Sequence, residues 1–327
     1  MKSVLHVGLR STLYSNEGIR QGFLDAGFED YHFFDWQAIK ITSGILGVEP
    51  RLIAAAQKIT PDLIFLHIQQ PDVIEEETAQ KLSEIAFVVN YTFDVRNAET
   101  TQWMYDLAPH IGLSIFACVE DALVCKQKYG EAINMHSSCD YNWYQDYGMK
   151  RSGIVFIGNN FLNTNLDFPQ KQQRYEMVMM MQEEFKEEFT VFGTNWDIKG
   201  VKMVNPQEEI NAYNAAKIAI THNNFIRIGY TSDRLFRAMG TGAATISHYF
   251  PLINKDFNQF VLTTWLNFDM LKAECHELLE DDKKRKLMAA AGVEWVHEHH
   301  TWANRFEYML NHIKKLKIAS NGTSDHY

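Results

Sequence analysis

Hydrophobic positions along the chain fall into short blocks whose spacing alternates between strand and helix. Val4-Leu-His-Val7 reads as a buried strand, followed by the loop Gly8-Leu-Arg10-Ser-Thr and a helical pattern from Glu17 to Ala26 that stops at Gly27. The order recurs. Leu52 to Lys58 is helical, Pro61 introduces the strand Asp62-Leu-Ile-Phe-Leu-His67, Glu75 to Ile85 is helical, and Phe87-Val-Val-Asn90 is a strand. Ile111 to Cys118 adds an apolar run, and the polar, aromatic stretch Ser137 to Arg151 reads as a connector.

The pattern then restarts. Gly153-Ile-Val-Phe-Ile-Gly158 is a strand, Gln173 to Lys186 a helix, Phe189-Thr-Val-Phe-Gly193 a strand, Glu208 to Ala216 a helix and Lys217-Ile-Ala-Ile-Thr221 a strand. Such alternation predicts an α/β fold with parallel sheets covered by helices, built as two Rossmann-like halves. The predicted division is 1–148, 149–312 and a tail from 313 to 327. Ligands in such sheets bind beyond the carboxyl ends of the strands, which points to Gly8, His67, Asp94, Gly158, Gly193 and His222.

One segment combines this placement with charge. In Tyr230-Thr-Ser232-Asp-Arg234-Leu-Phe-Arg237-Ala-Met-Gly240-Thr-Gly242, the residues Leu235, Phe236 and Met239 share a helical face, Gly240 and Gly242 stop the helix, and Ala243 to Ile246 form a strand. Ser232 or Asp233 can cap the helix, whose free N–H groups and positive dipole end then face an anion. Arg234 adds a planar donor fork suited to diphosphate oxygens. The alternative is a surface helix with solvated arginines. Gly158-Asn159-Asn160 offers backbone N–H groups and amides to phosphate oxygens, or is a plain turn. Gly193-Thr-Asn195-Trp196 ends a strand on the same side, where Trp196 either walls a nucleobase or packs into the core.

Composition narrows the class. The chain has 327 residues with 46% hydrophobic and 22% charged content, ordinary for a soluble two-domain protein, and no apolar run approaches a membrane span. Its start, Met1-Lys-Ser-Val-Leu-His-Val-Gly8, lacks a secretory h-region, which predicts a cytoplasmic protein. A net charge of −10 argues against simple coating of nucleic acid. The four cysteines form no C-x-x-C pair, and His297-Glu-His-His300 places Thr301 where a zinc protease motif needs its second histidine. Gly240-x-Gly242 follows a helix and precedes a strand, the reverse of a dinucleotide fingerprint. No carboxylate cluster resembles a metal site, so no metal and no cofactor are predicted.

With these residues in view, the chain resembles glycosyltransferases of the spore-maturation CgeB-like group. The resemblance is carried by Pro61-Asp-Leu-Ile-Phe, Asn90-Tyr-Thr-Phe-Asp94-Val-Arg96, Val155-Phe-Ile-Gly158, Phe192-Gly-Thr-Asn-Trp196, Tyr213-Asn-Ala-Ala-Lys-Ile218, Ser232-Asp-Arg-Leu-Phe, Gly240-Thr-Gly242 and His300-Thr-Trp-Ala-Asn-Arg305. It implies the two-lobed GT-B fold, with a nucleotide-sugar donor, most simply a UDP-sugar, bound as substrate to the second lobe. Asp94 is then the acceptor-side base, with Arg96, Gly8 and Arg10 beside it, unless Asp94 and Arg96 are only a surface pair. Arg234 and Arg237 stabilise the departing diphosphate. The donor contacts are Gly158, Asn159, Asn160, Asn195, Tyr230, Ser232, Gly240 and Gly242.

One departure matters. The family pattern reads Arg-x-Phe-Glu, with the acid taking the ribose hydroxyls, whereas this chain has Arg234-Leu-Phe-Arg237. Arginine cannot accept those hydrogen bonds. Either Arg237 contacts phosphate or acceptor, or another residue holds the ribose, or transfer activity is lost and a sugar- or nucleotide-binding protein remains. The acceptor is a hydroxyl of unidentified origin. A hydroxymethylated base in phage DNA is one alternative, with Arg10, Arg20, Lys40 and Arg51 as a basic groove.

Overall fold

The computed structural model describes residues 1–9, 13–92 and 98–322. It forms two compact units: Met1–His136 joined by the stretch from Thr301 onward, and Ser137–His300.

In the first unit, six strands lie parallel: β1 (Ser3–Gly8), β2 (Asp30–Asp35), β3 (Leu63–Leu66), β4 (Phe87–Thr92), β5 (Leu113–Phe116) and β6 (Ala132–Asn134), in the order β2-β1-β3-β4-β5-β6. The helices are α1 (Leu13–Asp25), α2 (Trp36–Ser43), α3 (Val48–Ile59), α4 (Glu76–Ile85), α5 (Ala98–Leu107) and α6 (Val119–Lys128). Alternate strand residues feed two cores, because helices cover both faces and each face must be apolar. Leu5, Val7, Ile64 and Leu66 meet Trp36, Leu52 and Leu82 on one side. Val4, Phe65, Val89 and Tyr91 meet Ile19 and Phe23 on the other.

The second unit repeats the plan with β7 (Ser152–Ile157), β8 (Phe189–Phe192), β9 (Ala216–Thr221), β10 (Ala244–His248) and β11 (Thr263–Trp265), ordered β11-β10-β9-β7-β8 and all parallel. Its helices are α7 (Lys171–Phe185), α8 (Pro206–Ala215), α9 (Asp233–Gly240), α10 (Ile253–Asp256), α11 (Phe268–Glu280) and α12 (Asp282–His299). In each sheet the strand order reverses once. The crevices where ligands bind in such sheets therefore open between β1 and β3 and between β7 and β9.

The chain divides elsewhere than the predicted 148/149. The connector packs on the second unit: Cys139 N–H donates to the His300 carbonyl at 2.8 Å and Tyr147 N–H to Asn214 Oδ1 at 2.8 Å. The end of the chain returns as α13 (Trp302–Gly322), part of the first unit. Its residues Trp302, Phe306, Met309 and Ile313 recur at helical spacing and enter the core with Phe23 and Phe65. Phe306 stacks on Phe23 with ring centres 3.7 Å apart, and a Cβ at Gly22 would collide with Trp302. The predicted tail from 313 is thus, as far as Gly322, the end of a core helix. All four cysteines are buried free thiols, and no helix among the described residues is long and apolar enough to cross a membrane.

Candidate functional site

The crevice between β7 and β9 holds a guanidinium. Arg174, one turn into α7, is 3% exposed; its Nη2 donates to the His222 carbonyl at 2.7 Å and its Nη1 to the Asn159 carbonyl at 3.2 Å. The two carbonyls belong to the loops leaving β9 and β7, so Arg174 ties both sides of the crevice together. The rings of Phe156 and Phe161 lie 5.9 and 5.8 Å from its guanidinium carbon. Burial, and secondly the charge of Arg234, bring its pKa down to about 9, so it stays charged at neutral pH.

Beside it, His222 and His248 stack face to face, 4.8 Å between centres. His222 Nδ1 accepts from Arg174 Nε at 3.4 Å, which leaves Nε2–H to donate to Gln173 Oε1 at 3.2 Å. That assignment makes the ring neutral. Burial, reinforced by Arg174, pushes His222 well below the usual histidine range and His248 down to about 4. Neutral imidazoles offer ring nitrogens without adding charge, and His248 Nδ1 is buried with no hydrogen-bond partner among the described residues.

The third component is α9. Asn223 shapes the approach to it, donating to the Tyr230 carbonyl at 3.3 Å and accepting from Ser232 N–H at 3.1 Å. Ser232 occupies the N-cap position, yet no side chain caps the helix, and its positive end keeps its capacity for an external acceptor. Arg234, in the first turn, is half-buried and makes no hydrogen bond or ion pair among the described residues. Burial opposes its charge, but the carboxylates of Asp233 and Glu209 outweigh this and raise its pKa. Two cations that feel one another and an open helix end, on a stretch where the hydroxyls of Thr221 and Thr231 are also unpartnered among the described residues, suit a polyanion.

Arg237 is differently engaged. Its Nη2 lies 2.7 Å from Asp233 Oδ2, its Nη1 3.2 Å from Glu209 Oε1, and its guanidinium carbon 5.1 Å from the centre of the Tyr144 ring. Burial disfavours its charge, yet Asp233, Tyr144 and Glu209 hold its pKa well above normal. The guanidinium predicted to face a ligand is spent on two acids.

The remaining predicted residues separate. Gly158 N–H and Asn160 N–H donate to the carbonyls of Phe192 and Thr194, at 2.8 and 2.9 Å, and are not offered to an anion. The amides of Asn159, Asn160 and Asn195 likewise join the two loops, Asn159 accepting from Thr194 N–H at 3.0 Å. Trp196 donates to the Gly158 carbonyl at 2.7 Å and stacks on Tyr175, which makes it a packing residue. Gly240 and Gly242 lie at the far end of α9 from Ser232. Gly240 is a close-packing residue inside the helix, where a Cβ would come within 2.7 Å of Cys139 Sγ. Gly8 and His67 flank the crevice of the first sheet, where a Cβ at Gly8 would come 2.7 Å from His6 Nε2, and His6 and His67 stack 5.7 Å apart. Arg10, Asp94 and Arg96 lie outside the described residues. Arg174 and His248 were not singled out by sequence, because Lys171-Gln-Gln-Arg174-Tyr-Glu176 reads as a polar helix face and His248 as the end of an apolar strand.

Residues 173–311, which include Arg174, His222, Arg234 and His248, match the model of a family described as glycosyl transferase-like. No curated protein sequence matches the chain. Among solved structures it is similar to sucrose-phosphate synthase from Thermosynechococcus elongatus, with a TM-score of 0.65 and 9% identity over 98% of this chain and 100% of that one. HepE from Anabaena in complex with UDP-glucose gives a TM-score of 0.64 and 10% identity over 96% and 100% of the two chains. OtsA in its apo form gives 0.61 and 10% over 96% and 99%. At such identities the likeness is one of fold, and that fold is GT-B. The chain therefore has a GT-B fold, and its residues 173–311 match a glycosyl transferase-like family.

Proposed function

We propose that the protein transfers a sugar from a nucleotide diphosphate donor, a UDP-sugar, to a hydroxyl acceptor, without a metal ion. The observation that carries this reading is the carboxylate-free setting of Arg174 in the β7–β9 crevice, with unpaired Arg234 and the open end of α9 beside it. A departing diphosphate develops negative charge, and preorganised cations and a helix end stabilise it without reorganisation. Arg237 acts by holding the first turn of α9 through Asp233, not by touching phosphate. Asp94 takes the acceptor proton, a role that rests on the resemblance of Asn90 to Arg96 to the CgeB-like motif.

HepE is described with UDP-glucose, which makes that donor the first to try. Calorimetric titration of UDP and UDP-glucose tests the reading, followed by detection of UDP release with and without a chelator. Binding with chelator-insensitive turnover supports it. Failure of both nucleotides to bind, with an intact fold, rejects it, and binding without any turnover leaves the non-catalytic alternative. If the acceptor is modified DNA, binding to duplex should weaken steeply with salt. Two of the cations offered for that groove are already engaged, Arg20 with Glu17 at 2.6 Å and Arg51 with Ser43.

A further inference from the structure

At the opposite edge of the second sheet, where β7, β9 and β10 begin, a cavity of about 390 Å³ lies between α12 and the segment leading into β7. Four cations line it, Arg151, Lys217, Arg285 and Lys286, against two carboxylates, Asp146 and Asp282. The excess is two positive charges in a chain whose net charge is −10.

The pairing is uneven. Arg151 holds Asp146 at 2.8 Å, while Asp282 is shared by Arg285 and Lys286. Lys217, at the start of β9, is half-buried and has no hydrogen bond or ion pair among the described residues. An ammonium in that position gives up part of its hydration without a counter-charge, a cost that an anion would remove.

The frame around it is fixed. Arg151 donates through Nη1 to the Tyr213 and Ala216 carbonyls, both at 3.1 Å, and through Nη2 to the Thr241 carbonyl at 2.6 Å. Arg285, 6% exposed, donates to the Leu278 carbonyl at 2.8 Å. The Asp146–Arg151 pair closes over Gly242, where φ is +78° and a Cβ would stand 2.8 Å from Asp146 Oδ2 and 2.9 Å from Arg151 Nη2. The glycine is explained by this cavity, not by the crevice at the other edge. Ala289, Ala290 and Val293 of α12 supply an apolar wall.

We propose that this cavity is a second ligand site, which takes a small organic phosphate. Its doubly charged head would sit on Lys217, with Arg151 and Lys286 beside it, and its body against Ala289, Ala290 and Val293. The excess of two charges matches a phosphate dianion, and the volume lies in the range of small-molecule sites. The two carboxylates disfavour a nucleic acid strand, and the excess of positive charge disfavours a metal cation.

Phenyl phosphate, titrated calorimetrically into the full chain, tests the proposal. Binding should survive Arg234→Ala, persist in Lys217→Arg, and weaken by about 10-fold or more in Lys217→Met, the loss of one charge-assisted contact. Phenol should not compete. If Lys217→Met fails to fold, Lys286→Ala, whose side chain is 74% exposed, replaces it and should weaken binding at least about 3-fold. Binding that is absent in the parent chain, or unchanged by the cavity variants, overturns the site. Binding lost in Arg234→Ala instead assigns the phosphate to the β7–β9 crevice and equally overturns it. Failure of UDP to bind would sink the transferase reading and leave this result untouched.

Discussion

Arg174 Nη2 donates to the carbonyl oxygen of His222 at 2.7 Å, which with the Asn159 carbonyl and the neutral His222 ring seats a buried guanidinium on uncharged acceptors. Backbone carbonyls carry dipoles, not charges, so the cation keeps most of its field for an incoming anion. Arg174→Lys retains charge but cannot span the Asn159 and His222 carbonyls together. Both the melting temperature and UDP affinity should fall in that variant. A drop in affinity alone would deny Arg174 its bridging part.

Arg234 provides the contrast. It makes no internal bond among the described residues, so Arg234→Ala should leave the melting temperature nearly unchanged. UDP binding should weaken by roughly 10-fold or more, the loss of a charge-assisted bond of about 1.5–3 kcal/mol. Calorimetry and a thermal melt on one preparation read both. Unaltered affinity removes Arg234 from the site.

Arg237 and Glu209 form a pair that can be reversed. Arg237→Glu, although it restores the usual family residue, brings a third carboxylate to Glu209 and Asp233 and should destabilise the fold. Both partners retain some exposure, 20% and 13%, so the cost should sit at the lower end of the ~3–5 kcal/mol seen for broken buried pairs. Adding Glu209→Arg should recover part of it, measured as a double-mutant cycle in denaturant. Tighter UDP binding in Arg237→Glu alone would show a decayed ribose site instead.

Acid should unfold the protein through its buried imidazoles. Burial holds His67 and His248 at about 4 in the folded state, below the ordinary 6.5, with His6 and His222 lowered as well. Between these values the unfolded chain binds more protons, so stability rises with pH there. The contribution is complete above about 6.5 and is lost as pH falls toward 4. Melting temperatures across this window should drop steeply, and His248→Gln should flatten the slope. A slope unchanged by that substitution would acquit His248.

Asp94→Asn keeps size and most hydrogen-bonding capacity but cannot take a proton. Transfer should fall by about 10²–10⁴-fold while UDP affinity holds. Equal loss of UDP binding would mark the residue as structural.

The alternation of strands and helices was legible because both faces of each sheet are covered, and the strands read as apolar runs. Three strands were not. Asp30-Tyr-His-Phe-Phe-Asp35 mixes exposed and buried positions at a sheet edge, and Ala132–Asn134 and Thr263–Trp265 are too short for any period to register. In the crevice, Arg234 was legible from its place in a first helical turn. Arg174 was not, since nothing local tells a polar helix face from an arginine that meets two distant carbonyls. The unit boundary escaped for a similar reason: it depends on the partners of Cys139 and Phe306, more than a hundred residues away in sequence.

The return of α13 has a consequence for biosynthesis. Trp302, Phe306, Met309 and Ile313 complete the core around Phe23 and Phe65, so the first unit can close only after the second unit has been made. On the ribosome the second unit has all of its strands while the first still waits with an aromatic surface uncovered. The usual order, in which the amino-terminal domain folds first, should therefore be reversed. The nascent β1–β6 sheet is then the species most in need of a chaperone, and a chain released before Trp302 should be captured by one.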